Sequence, residues 1–165
     1  MNGTSRTVTV TVIEKPFCKL ILKRGIKSTD YWSYCAEIGC DKWEILETIP
    51  QALGKTVFLG LPPHLVKEGT SNVACGLEVP ADFDSKIPDG FEIIDLPAHL
   101  MMWFQGAPYD DESWFGESHS EMYRTIGNYK PELYGYEFAL DSAPRFEYGT
   151  FAATGCKVMI PIRRL

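Results

Sequence analysis

STDYWSYCAEIGCDKWEILETI, residues 28–49, decides the fold, because it is the first segment with helical spacing after the strand-like stretch at 6–25. It opens with three consecutive residues that favour a helix N-cap, STD at 28–30. The apolar residues that follow recur at helical spacing until Pro50, which ends the helix. Gly39 interrupts the pattern, so we expect a kink or a close packing contact there.

Strand-like segments lie on both sides of this helix. RTVTVTVIEK at 6–15 alternates valine with threonine, which is the period of a half-buried strand, and CKLILKRG at 18–25 continues in the same style. KTVFLGLP at 55–62 and SNVACGLEVP at 71–80 follow the helix. The first half of the chain therefore predicts the order strand, helix, strand, strand.

The second half repeats this order after ADFDSKIPDG, residues 81–90, a connector rich in Pro, Gly and Asp. In the second half, residues 91–106 are strand-like and residues 114–129 are helical. Three further strand-like segments follow at 134–140, 144–151 and 156–165. The last part of the chain thus contains one possible extra strand. Internal repetition on this scale predicts an α+β fold made from a duplicated βαββ unit.

The length predicts one domain, residues 1–165, with half-repeats at about 7–80 and 91–165. Each unit is too small to bury its own sheet face, so the two units most simply pair about a pseudo-two-fold axis. This arrangement predicts an antiparallel sheet with two helices on one face and a central ligand cleft.

The composition argues against several classes of function. A net charge of -6 repels a phosphate backbone, so direct nucleic-acid binding is not expected. The sequence shows neither a signal-peptide core nor a long apolar run, which predicts a cytoplasmic protein without a membrane span. The cysteines and histidines lack the spacing of a disulfide framework, a zinc site or a catalytic triad, and no phosphate-binding loop is present. We therefore expect no metal and no cofactor.

One carboxylate stands among aromatic residues in a strand-like segment. APRFEYG at 143–149 sets Glu147 between a phenylalanine and a tyrosine, although an uncompensated buried carboxylate is costly. On a strand, Glu147 shares its face with Arg145 and points away from the two rings. The residue is therefore either a surface acid paired with Arg145 or Lys157, or a charge on the floor of a cleft.

Several segments then occur together in one order: GCDKWEIL, LPP, GLEVPADF, IPDGFEIIDLPAHLMMWFQG, YKPELYGYEF, APRFEYG and VMIPI. This ordered set, which covers the chain from about Cys18 to the C terminus, resembles the GyrI-like proteins. That family is related to the effector-binding domains of AraC-type and BmrR-type regulators. The likeness is greatest to a freestanding branch, some of whose members hydrolyse cyclopropane-containing alkylating antibiotics.

The resemblance implies a duplicated βαββ fold whose central cleft takes lipophilic, often cationic, organic molecules, as in multidrug binding. It also implies, from the P-x-F-E-x-Y segment, that Glu147 is the acidic residue at the floor of an aromatic cleft. We expect one face of each strand to pack under the helices and the other face to line the cleft, and strand parity leaves open which residues lie on which face. The candidate ligand-binding residues are Glu147, Tyr136, Phe138, Trp103, Met101, Tyr148 and Glu78. A Met/Trp stripe is also typical of a core, and Glu78 also fits a solvated strand face.

Two functions from different classes fit these features. The first is a binding module for amphipathic or cationic small molecules. Because the chain has no helix-turn-helix pattern, such a module would regulate transcription through a protein partner. The second is a hydrolase that opens strained electrophilic rings, with Glu147, either alone or together with Tyr136 or Glu78, as general base or proton relay.

One departure from the family favours binding over hydrolysis. In the hydrolytic branch a tryptophan precedes the Leu-Pro after the third strand, whereas this chain has Gly60 there. A third possibility is an inhibitor that docks on DNA gyrase. It would need a partner surface that the sequence does not show.

Overall fold

The strands of this protein form one antiparallel sheet in the computed structural model, which describes residues 7–165. They are β1 Val8–Lys15, β2 Cys18–Arg24, β3 Val57–Gly60, β4 Val73–Val79, β5 Glu92–Leu96, β6 His99–Gly106, β7 Tyr136–Phe138, β8 Arg145–Phe151 and β9 Gly155–Arg164. The segment predicted as one strand over 91–106 is two strands, β5 and β6, because Pro97 interrupts it. The first predicted strand begins at Arg6, which lies outside the described residues.

The first predicted helix is two short helices, α1 Tyr31–Ile38 and α2 Lys42–Glu47. The break falls at Gly39, whose φ of 109° is a conformation that favours glycine. Asp30 caps α1, since its carboxylate accepts a bond of 2.7 Å from the backbone N–H of Ser33. The second predicted helix is α3, Phe115–Asn128.

The strand order reads β1-β6-β9-β8-β3-β4-β2-β5, with β7 beside β9. Exchanging β1 with β5, β2 with β6, β3 with β8 and β4 with β9 gives the same order in reverse, as a two-fold relation requires. The α+β class and the duplicated βαββ plan are thus confirmed. We propose that the half-repeats lie at about 7–80 and 91–165, since β1 and β5 open the two corresponding sets of strands.

Both helical layers cover the same face of the sheet. The layer of α1 and α2 packs on Ile21, Leu77 and other residues of the first half, and α3 packs on Phe104 and Val158 of the second half. The register joins the two halves, because β3 pairs with β8 and β8 with β9. The two layers therefore stand side by side, and the β3–β8 pair lies at the centre of the sheet.

The helix-free face, called the inner face below, holds the third core cluster. Its buried residues are Cys18, Leu20, Leu22, Val57, Leu59, Leu61, Ala74, Leu96, Met101, Phe146 and Met159. Ile13 of β1 and Ile94 of β5 pack against the same cluster, although these strands are the two edges of the sheet. At about 4.8 Å per strand they would lie roughly 34 Å apart on a flat sheet. The sheet is therefore curled around its inner face.

Candidate functional site

The candidate site lies on the helix-bearing face, at the centre of the sheet. Phe58 of β3 and Glu147 of β8 are directly opposite each other in the register and form its floor. We call the region between the two helical layers the central groove and define it by its floor and walls, namely Phe58, Glu147, Tyr31, Trp32, Phe115, His119 and Tyr123. The groove follows from the pseudo-two-fold relation, because each half contributes one floor strand and one helical wall.

Glu147 is held in the groove by one hydrogen bond and one ion pair. The Tyr123 hydroxyl donates a short hydrogen bond to its Oε1 atom, and Arg145 Nη2 lies 2.7 Å from the same oxygen. Burial, and next the negative charge of Glu147, raise the pKa of Tyr123, so this phenol stays protonated and donates. The Glu147 side chain keeps 20% exposure, which leaves the carboxylate accessible from the groove.

The α3 wall is a ladder of rings spaced four residues apart. Phe115 stacks on His119 at 6.1 Å between ring centroids, and His119 lies 4.7 Å from Tyr123. This spacing places all three on one side of the helix. Because Tyr123 reaches Glu147, that side faces the centre of the sheet, and Phe115 at 41% exposure presents ring surface to solvent.

The α1 wall is built around Tyr31, whose ring packs edge-to-face on three neighbours. The centroid distances are 5.1 Å to Trp32, 5.5 Å to Trp43 and 5.9 Å to Phe58. Burial raises the pKa of Tyr31 to about 12, so it is a neutral phenol at physiological pH. Trp32 is 70% exposed, whereas tryptophan side chains are on average highly buried.

This arrangement combines ring surface with one negative charge. Exposed aromatic rings bind apolar bodies through burial of area and attract cations over their faces. A carboxylate in such a site fixes the orientation of a charged ligand. Among residues 7–165 no group of three His, Cys, Asp or Glu side chains could hold a metal ion.

The structure does not bring the seven sequence-predicted residues together. Of these only Glu147 lies in the central groove. Tyr136 and Phe138 are on the same face but lie beyond β8, where they pack against the core under α3. The Phe138 ring lies 6.4 Å from that of buried Phe104. Tyr136 and Phe138 therefore lie outside the central groove, because β7 pairs with the end of β9 rather than with a central strand. That they line a ligand cleft stays a prediction.

The other four predicted residues, Met101, Trp103, Tyr148 and Glu78, lie on the inner face. Met101 is fully buried, and Trp103 and Tyr148 pack against the same cluster. These residues and the Glu147 side chain therefore lie on opposite faces of the sheet, since adjacent residues of β8 point to opposite faces. Their role in ligand binding stays a prediction.

Two lysines fill this part of the inner face. Lys157 Nζ lies 4.3 Å from the ring centroid of Trp103 and 4.2 Å from that of Tyr148. Glu78, which is 8% exposed, binds Lys15 Nζ at 2.6 Å. Burial, and next the charge on Lys15, lower the pKa of Lys157. Glu78 is thus the counter-ion of Lys15 and not a second acid in the central groove.

The groove also contains residues that the sequence did not point to. Tyr31 and Trp32 fall within the segment predicted as helix, and Phe115, His119 and Tyr123 fall four residues apart in the next one. That spacing was a usable signal for Tyr123, which replaces Tyr136 and Glu78 as the partner of Glu147. Arg145 pairs with Glu147 as one predicted alternative had it, and Lys157 lies on the opposite face.

None of the helices in the described part of the chain is both long enough and apolar enough to cross a membrane.

Comparison with known proteins gives structural relatives only. No protein-family model and no curated protein sequence matches the chain. The SAV2435 protein, solved bound to tetraphenylphosphonium, shares 15% identity with a TM-score of 0.60 over 94% of both chains. A Staphylococcus aureus MU50 protein assigned to transcription regulation shares 15% identity with this chain. Its TM-score is 0.53 over 94% of this chain and 98% of that protein.

The EcmrR C-terminal domain gives 15% identity and a TM-score of 0.50 over 96% of this chain and 99% of that domain. In the EcmrR–DNA complex the match spans 58% of the EcmrR chain. At about 15% identity, this structural similarity establishes the fold alone. The chain therefore has the fold of SAV2435 and of the EcmrR C-terminal domain, the GyrI-like fold that its sequence resembles.

Proposed function

We propose that this domain binds lipophilic, cationic small molecules in the central groove, with Glu147 as the counter-ion. The observation that carries the proposal is the position of this carboxylate, on the floor between aromatic walls contributed by α1 and α3. A cation seated there contacts rings on two sides while its charge faces Glu147. The same seat offers a neutral molecule the rings alone.

The walls account for most of the expected affinity. Burying apolar ligand surface contributes about 25 cal/mol per Å². Each favourable contact between a cation and a ring face adds about 0.5–2 kcal/mol. Trp32 and Phe115 are exposed at 70% and 41%, so ligand binding would cover ring surface that is now in water.

A ligand cation must compete with Arg145 for the Glu147 carboxylate. The Arg145 guanidinium already pairs with Glu147 at 2.7 Å, so an incoming cation must share or displace it. The Arg145 side chain is 36% exposed, and water can solvate the guanidinium once it moves away. Tyr123 keeps its bond to Glu147 throughout and so holds the carboxylate in place.

The structural relatives support the ligand class. SAV2435, which shares this fold over nearly the whole chain, was solved with tetraphenylphosphonium, a lipophilic cation. The C-terminal domain of EcmrR has this fold, and EcmrR has been solved in a complex with DNA. Because our chain has a net charge of -6, we propose that any role in transcription runs through a protein partner.

The groove is tested by calorimetric titration with tetraphenylphosphonium. Trp32→Ala and Phe115→Ala each remove one exposed wall ring, and we expect each to raise Kd at least threefold. Phe17→Ala is the matched control, because Phe17 is also exposed, at 45%, but lies in the β1–β2 connection. Unchanged affinity in both wall variants would show that the groove is not the site.

A further inference from the structure

A second concave region lies next to the central groove, where β3 ends. It is a cavity of about 920 Å³ lined by Gly60, Leu61, Pro63, Val66, Lys67, Glu68, Gly69, Thr70, Asn72, Leu140 and Arg145. The loop between β3 and β4 forms most of its wall. Its volume falls in the range of small-molecule sites, roughly 300–1,000 Å³.

Three of the apolar side chains that line the cavity are Leu61, Val66 and Leu140. Leu61 is buried in the inner-face cluster, and Val66 packs against that cluster from the loop. Leu140 also lines the cavity and is 54% exposed. The walls therefore suit an aliphatic or aromatic body of modest size, which would cover Leu140.

Arg145 supplies the charge. A guanidinium carries five N–H donors in a planar fork, and one nitrogen of Arg145 goes to Glu147 at 2.7 Å. Arg145 lines the cavity as well, so its remaining donors can serve a second acceptor there. Two other charges line the cavity and offset each other, Lys67 and Glu68, and Lys67 is bound to Glu92. The lining thus has one net positive charge.

Gly60 keeps this guanidinium accessible. It is the Cα partner of Arg145 in the β3–β8 register. A Cβ atom at residue 60 would lie 3.7 Å from both Cβ and Nε of Arg145, which is ordinary contact distance. A larger side chain would occupy the space along the Arg145 stem and close this end of the cavity.

We propose that the cavity is a separate binding site for a small amphipathic organic acid. The carboxylate of the acid binds the Arg145 fork in the bidentate geometry that Arg favours, and the apolar body lies between Leu61, Val66 and Leu140. The site does not depend on the cation site in the central groove, although both sites contact Arg145. An acid bound here keeps Arg145 near the sheet without consuming its bond to Glu147.

The probes are 4-phenylbutanoate and its neutral amide, 4-phenylbutanamide, titrated by calorimetry into the whole chain. We expect the acid to bind at least tenfold more tightly than the amide. Arg145→Gln should remove that preference, and Gly60→Leu should weaken both probes by filling the cavity. Arg163→Gln is the matched control, because Arg163 is also a partly exposed arginine, at 48% against 36% for Arg145, and forms ion pairs with Glu137 and Asp141.

Backbone amide shifts of the wild-type protein give a second measurement that needs no variant. The acid should shift the amides of Gly60, Gly69 and Thr70. The proposal would be overturned by equal affinity for acid and amide, or by retention of the preference in Arg145→Gln. It would also be overturned by amide shifts confined to other regions, or by no binding at a probe concentration of about 10 mM, which is on the order of the weakest useful affinity.

Discussion

Replacing Glu147 by glutamine separates charge from shape in the central groove. Glutamine keeps an oxygen that can accept the Tyr123 bond, so the variant should fold. The Glu147 side chain is 20% exposed, which means that its attraction for a cation is only partly screened. The attraction for a phosphonium is Coulombic, roughly 2.8 kcal/mol at a separation of about 6 Å and an effective dielectric constant of about 20. Because a ligand must compete with Arg145, we expect about half of this, roughly 1.4 kcal/mol or a tenfold rise in Kd.

The assay is calorimetric titration with tetraphenylphosphonium and with neutral triphenylphosphine oxide. Glu147→Gln should weaken the cation about tenfold and the neutral compound less than twofold. Glu137→Gln controls for net charge, because it removes a strand carboxylate that is 47% exposed and paired with Arg163 at 3.2 Å. Equal loss for both ligands in Glu147→Gln would refute the counter-ion role.

Three further predictions concern stability and reactivity. Gly39→Ala should lower the unfolding free energy by about 1–2 kcal/mol in urea titrations, because φ at Gly39 is 109°, whereas Gly54→Ala, with nothing within 4 Å, should not. Glu37 accepts backbone N–H bonds from residues 26–28, which lower its pKa to about 2. Its stabilisation is therefore complete above about pH 4.5 and lost toward pH 2, so the urea midpoint should fall over that window in the wild type and less in Glu37→Gln. Of the five cysteines, exposed Cys40 alone should react rapidly with a disulfide reagent at pH 8, since burial raises the pKa of Cys18 to about 12 and that of Cys75 to about 11.

Local pattern was enough for most of the fold. The alternation of valine with threonine in β1 and the STD cap before α1 each report a local preference, and the structure keeps both. The split at Gly39 followed from the same kind of signal. The duplicated order of elements then limited the topology to a symmetric pairing, because consecutive units of this size must cover each other.

The position of the candidate site could not be predicted from strand parity alone. Alternation showed that Glu147 and Phe146 point to opposite faces, but it did not show which face carries the helices. Trp103 and Tyr148 were therefore listed together with Glu147, although the structure places their side chains on the face of the sheet opposite to the Glu147 carboxylate. The ion pair between Lys15 and Glu78 joins strands that are distant in the sheet and meet only because the sheet curls. No local feature of the sequence indicates that curvature.

The most direct test of the central claim is a crystal structure of the protein with tetraphenylphosphonium. The account predicts ligand density over Phe58 between Tyr31 and the ring ladder of α3, with the phosphorus within about 6 Å of the Glu147 carboxylate. Ligand density on the inner face beside Trp103, or a central groove without ligand in crystals that bind it elsewhere, would contradict the account.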